Sequence, residues 1–215
     1  MSVRHVAAPA IDAATTVLRV IRRASRRPLT TRVLLSCAAI GAAGAVLLTV
    51  ANLTAKLLIP VFPPSAYILA GLWAVPATLA LALLRRPGVG VLTGLIAGLA
   101  MTPFSPQGAS VILAALWWAA ACELPFLITR YRRWTLLLHV CGGIVAGLAS
   151  IAVSAATGVL PTLGFSAQVL TVALSIAAPV LAAIAGVALA RRLRRTGVGG
   201  QSASGAASSR SETSA

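Results

Sequence analysis

The charges of this chain are gathered into a few clusters, and nearly everything between them is apolar. A basic arm covers residues 1–32. It is followed by Arg85-Arg86, by Arg130-Tyr131-Arg132-Arg133, by Arg191-Arg192-Leu193-Arg194-Arg195, and by a polar tail carrying Arg210. Lys56 alone among Lys and Arg stands outside these groups. About 20 consecutive apolar residues cross a bilayer as a helix, and most of the blocks between the clusters approach or exceed that length. They are too long for membrane strands and lack period-two alternation. The pattern therefore predicts an all-α polytopic membrane protein, a bundle of six transmembrane helices at 33–58, 66–84, 88–104, 109–129, 135–160 and 166–190. The third block is short and Gly-rich and ends in Thr102-Pro103-Phe104-Ser105-Pro106, which suggests a tilted or broken span.

With this division every Arg cluster falls on the same side. Positive charge marks the cytoplasmic face. The opposite loops, 59–65, 105–108 and 161–165, carry no charge. Both termini are thus expected in the cytoplasm, with Lys56 snorkelling outward from the first helix. Three regions follow: a basic arm (1–32), a membrane domain (33–190), and a basic then disordered tail (191–215) rich in Gly, Ser and Ala. The arm mixes Val17, Leu18, Val20 and Ile21 with arginines. It reads either as an unstructured polybasic flank or as a helix along the anionic inner leaflet.

Composition excludes several alternatives. At 59% hydrophobic and 10% charged, with a mean hydropathy of +0.95, the chain lacks the surface of a soluble domain, where charged residues make up roughly 25%. The net charge of +15 does not imply nucleic acid, because the basic residues punctuate apolar blocks instead of striping a polar surface. Cys37, Cys122 and Cys141 lie inside apolar blocks without metal-binding spacing and read as small buried hydrophobes. No resident cofactor is implied. A phosphate-cradling Walker loop is absent. Ser150 and His139 share one predicted span and lack a Gly-x-Ser-Gly context, so intramembrane proteolysis is not indicated. The chain does not read as an enzyme.

Of its three acids, Asp12 and Glu212 fall in the end regions, which leaves Glu123 as the single carboxylate of the membrane domain. An ionised group at a helix centre costs about 2.5–3.5 kcal/mol even on the lenient insertion scale, so its default reading is functional. Glu123 sits roughly 10 Å from the inner end of its helix. His139 is expected at similar depth, so a structural Glu123–His139 hydrogen bond competes with a ligand or proton-binding role. Tyr67 and Trp134 fit an interfacial aromatic belt. Trp73 and Trp117 lie deeper and could stack on a planar ligand gathered between helices. Small residues recur at four-residue spacing on the first span (Ala38 with Ala42, Gly41 with Ala45), a face that admits close helix approach, within the chain or from a partner.

The segments Val61-Phe62-Pro63-Pro64, Gly71-Leu72-Trp73, Arg85-Arg86-Pro87-Gly88 and Cys122-Glu123-Leu124 running into Arg130-Tyr131-Arg132-Arg133-Trp134 resemble, in order and spacing, the YkoE family. The likeness covers about residues 60–150. It implies a membrane-embedded S component of an energy-coupling-factor (ECF) transporter associated with thiamine and its hydroxymethylpyrimidine precursor. Such a subunit binds its vitamin from outside and depends on a transmembrane coupling protein and ABC-type ATPases. The membrane domain would then be the substrate-binding domain, with Ala38, Gly41, Ala42 and Ala45 as candidates for docking the coupling protein. Trp73, Trp117, Asn52, Tyr67 and Gln107 would line the ligand pocket, and Glu123 would close its floor or fix its polar end. The chain departs from the family pattern at Trp118, where many members carry Gln, and at Gly94 and Met101, where acids are common. With Glu123 the one remaining carboxylate, the departures leave either a neutral pyrimidine or another ligand altogether as the expected substrate. A proton-coupled carrier built on Glu123, and a membrane scaffold, remain as other expectations.

Overall fold

The computed structural model describes residues 30–62, 64–156, 158 and 164–195. The basic arm up to residue 29, the tail from residue 196 and most of the last outer loop lie outside the described residues. The described part is helical. Helices α1 (Thr31–Leu58), α2 (Ser65–Leu84), α3 (Val89–Met101), α4 (Ser110–Ile128), α5 (Leu136–Ala156) and α6 (Phe165–Arg195) follow in the order of the six expected spans, and their ends differ from the expected ones by a few residues. The largest difference is at α6, which runs on through the arginine cluster to Arg195. Its 31 residues span about 46 Å, well beyond the roughly 30 Å of hydrocarbon, so its basic end projects into the headgroup region.

Two helices depart from regular α geometry, each for a local reason. In α2 the turn Gly71–Trp73 is 3₁₀, followed closely by Pro76, which cannot donate to the Leu72 carbonyl and crowds it. The short α3 closes with a 3₁₀ turn, Thr102–Phe104, where Pro103 enters. The third span is therefore short and continuous, and its irregular part is confined to the proline-bearing end.

The helices are apolar all round, as expected where lipid replaces water on the outer surface. Leu35, Val46, Val50, Leu113, Ile128, Leu137 and Leu181 face outward. The interior is built instead from small residues such as Ala74, Ala77, Ala80, Ala97, Ala119 and Ala146, with a few large side chains among them, notably Leu48, Leu81 and Phe126. Association in lipid gains nothing from apolarity alone and depends on close packing, which small side chains allow. On α3, Gly90, Gly94 and Gly98 form a stripe that meets Glu123, Ala119 and Ala115 of α4. α2 sits within the bundle, packed on α1, α3, α4 and α6, while α5 bridges α4 and α6.

Candidate functional site

Polar groups occur at two levels of the bundle. The first is at the arginine-bearing end. Glu123 is buried about 8 Å from the inner end of α4. Its Oε1 accepts hydrogen bonds from the Gly88 amide at 2.5 Å and the Tyr131 hydroxyl at 2.8 Å, and its Oε2 accepts from the Val91 amide at 2.9 Å. Gly88 is the N-cap of α3 and Val91 lies in its first turn. Those amides have no partner within their own helix. A carboxylate from α4 thus caps α3, where its charge also meets the positive end of the helix dipole. Gly90 makes the approach possible: a Cβ there would stand 2.8 Å from Oε2.

The backbone around this staple is shaped to deliver its donors. Gly88 has φ +79°, a conformation disfavoured for other residues. After α4 the chain closes in a Schellman arrangement, with Arg130 N–H donating to Leu127 O and Tyr131 N–H donating to Phe126 O. Arg130 and Tyr131 are both left-handed, at φ 52° and 56°, and this reversal carries the Tyr131 ring back toward Glu123. Burial first, and then the adjacent Glu123 charge, push the Tyr131 phenol well above its ordinary range, so it remains a donor at physiological pH. Tyr131→Phe should lower stability by about 1.5–3 kcal/mol, the usual worth of a hydrogen bond to a charged group, read from the melting temperature in detergent.

His139 does not bond to Glu123. It is buried nearby, its Nδ1 donates to the Thr135 carbonyl at 3.0 Å, and its ring packs edge-on to Phe126. That competing reading fails because backbone donors and Tyr131 already face both carboxylate oxygens.

The second level is the opposite half, where Lys56 near the outer end of α1 is the one charged side chain among the described residues. Trp73 lies about 17 Å from the inner end of α2, half-buried between two core clusters. It touches the α1–α3–α4 side through the cluster of Leu48, Met101 and Val111, and the α4–α5–α6 side through that of Trp118, Ala146 and Ala182. Asn52 is half-buried and its Nδ2 has no partner. The same holds for the hydroxyls of buried Ser65, Thr171 and Ser175. Serine and threonine inside helices usually return their proton to a carbonyl one turn back, as Thr49, Thr78 and Thr102 do here. Thr171 and Ser175, one turn apart on α6, do not. Contacts of Gly71 with Ala178 and of Gly186 with Thr78 set α2 and α6 in parallel register, which brings Ser65 to the level of Thr171.

Other expected site residues fall elsewhere. Tyr67 is half-buried at this same end, and Gln107 is exposed in the α3–α4 loop. Trp117 faces outward at 45% exposure, while its neighbour Trp118 is buried. Gly41 and Ala45 face the interior against α3; Ala38 is half-buried, and Ala42 is exposed. The part played by Tyr131, Ser65, Thr171 and Ser175 was not foreseen. For Tyr131 a signal existed, an aromatic hydroxyl within the Arg130–Arg133 cluster, whereas isolated serines and threonines in apolar spans carry none.

Five helices long and apolar enough to span a membrane, with the shorter α3, define a multi-pass integral membrane protein. Residues 32–149, more than half of the chain, match the family of ABC-type cobalt transport system permease components, and the chain belongs to that family. It is thus a transport component and not an enzyme. Its fold is similar to that of a crystallised S component of an ECF transporter, with a TM-score of 0.73 and 20% identity over 86% of this chain and 95% of the other. No curated protein matches the chain.

Proposed function

We propose that the protein is the substrate-capturing S component of an ECF-type importer and that its cargo is a neutral pyrimidine of the hydroxymethylpyrimidine class, in preference to cationic thiamine. The observation that carries this reading is the division of polar groups between the two ends. The one acid among the described residues is enclosed by backbone amides and a tyrosine at the arginine-bearing end. The opposite half offers a central Trp and uncharged polar groups whose hydrogen-bonding capacity is unspent. An aromatic ring with a few polar substituents matches that set, whereas a cation would lie in an apolar bundle without a counter-charge. Trp73 would stack on the ring, Asn52, Ser65, Thr171 and Ser175 would bond its edge, and Tyr67 would stand at the mouth. Glu123 closes the floor by holding α3, α4 and the loop after α4 together beneath the ligand.

The family description names cobalt as cargo. Among the described residues no three His, Cys, Asp or Glu side chains are grouped to hold a metal ion, which supports an organic substrate. Energy would come from a coupling protein and ABC-type ATPases meeting the arginine-bearing face.

The test is a binding titration of the purified full chain with hydroxymethylpyrimidine, thiamine and cobalt(II). Hydroxymethylpyrimidine should bind most tightly, and Trp73→Leu should weaken it about tenfold, the scale of one lost base–aromatic stack. Saturable uptake into liposomes without ATPase subunits would instead favour a self-contained carrier. Tighter binding of cobalt(II) would overturn the organic assignment.

A further inference from the structure

At the arginine-bearing end a cavity of about 40 Å³ opens between α2, α5 and α6. Three arginines from two helix ends converge on it: Arg85 after α2, and Arg191 and Arg194 on the last turns of α6. Trp134, Leu136 and His139 wall it, with Ala82, Val187 and Ala190 as its small apolar lining. No acidic residue lines it. Glu123 is the sole acid among the described residues, and its carboxylate is engaged elsewhere.

Three like charges brought together without a counter-charge repel, and the arrangement is stabilised when an anion joins it. His139 is a second, independent sign. The residue is 4% exposed, and its Nε2 has no hydrogen-bond partner. Because Nδ1 donates to the Thr135 carbonyl, Nε2 either carries a lone pair that accepts from a headgroup hydroxyl beside the phosphate or, once protonated, donates to a P–O⁻ group. The first turn of α5 adds the positive end of a helix dipole. The cavity holds about three times the volume that one water needs, enough for a small tetrahedral oxyanion.

We infer that the cavity lined by Arg85, Arg191, Arg194 and His139 binds a phosphate group at the cytoplasmic membrane surface. Its place at the headgroup level of an over-long α6 points to an anionic phospholipid headgroup, because basic pockets between helices on that side recognise such headgroups. Guanidinium groups match phosphate oxygens in pairs, and Trp134 supplies an amphipathic wall at the interface. The site is separate from the proposed substrate pocket and does not depend on that reading.

The delipidated full chain in neutral detergent is titrated with short-chain phosphatidylglycerol, short-chain phosphatidylcholine and sodium phosphate, with bound ligand read by native mass spectrometry. Phosphatidylglycerol should bind well above phosphatidylcholine and weaken about fivefold for each of Arg191→Gln and Arg194→Gln. Arg132→Gln with Arg133→Gln, equally basic positions outside the cavity, should leave it unchanged. Binding of inorganic phosphate with the same arginine dependence, and no gain from the glycerolipid, supports the site and assigns its source to soluble phosphate. An equal loss in both arginine sets means a diffuse charge effect and overturns the proposal, as does the absence of anion binding in every arm. Arg191→Lys with Arg194→Lys, which keeps the charge but not the paired geometry, covers the case in which the Gln variants do not fold.

Discussion

Glu123→Ala should lower stability by about 3 kcal/mol or more, read as a large fall in melting temperature of the detergent-solubilised chain. Three hydrogen bonds to a charged group are lost at once, each worth about 1.5–3 kcal/mol. Two of the three donors are backbone amides at the start of α3. In a bilayer they find no water to replace the carboxylate, and an unsatisfied amide there costs several kcal/mol. Glu123→Gln should fall between. Its oxygen can still accept from Gly88 and Tyr131, but its NH₂ then faces the Val91 amide, donor against donor. In the double variant Glu123→Ala with Tyr131→Phe, the tyrosine change should add little to the loss, because the two residues share one bond. Full additivity of the two losses would show that the staple is not a unit. If Glu123 served only to bind substrate, its removal would leave the melting temperature of the ligand-free chain unchanged.

Gly142→Val should be nearly as damaging, about 3 kcal/mol, by the same measurement. A Cβ at position 142 would sit 2.6 Å from the Cys122 carbonyl oxygen and 3.2 Å from its Cα, both backbone atoms that cannot turn aside. Relief requires α5 to move away from α4. That displacement also strains the Phe126–His139 contact on one side and the packing of Gly143 against Pro179 on the other. Gly164→Val is the matched control. Nothing lies within 4 Å of its added Cβ, so its effect should stay within about 0.5 kcal/mol. Equal effects at the two positions would contradict close packing of α4 on α5.

The helix count and order were legible from the charge clusters, because lipid imposes a span length and charge imposes a side, and both act through composition alone. The expectation that both termini face the cytoplasm rests on the same arginines. Side-chain partnerships were less accessible. Glu123 was conspicuous as a lone acid, yet its partners are backbone amides of residues 88 and 91, and any residue type at those positions except proline would have offered an amide. Sequence supplies no mark for that. The left-handed turn at Arg130 and Tyr131 was hidden for a related reason: glycine is the usual occupant of such a position, and here arginine and tyrosine adopt it. Facing on α1 was half legible. The spacing of Gly41 and Ala45 implied one close helix contact, but only the packing shows α3 as their neighbour.

The staple also bears on how the chain enters the membrane. During synthesis α3 emerges well before the residue that caps it, since Gly88 and Glu123 are 35 positions apart. Until α4 follows, the first turn of this short, glycine-striped helix is open, and its amides resist transfer into hydrocarbon. α3 is therefore poorly suited to leave the insertion machinery alone. It is expected to wait at the lipid boundary and enter with α4 as a hairpin, sealed when Tyr131 is translated and closes on the carboxylate. A nascent chain halted while Glu123 is still inside the ribosomal exit tunnel should then have two inserted spans, and one halted only after Tyr131 has left the tunnel should have four.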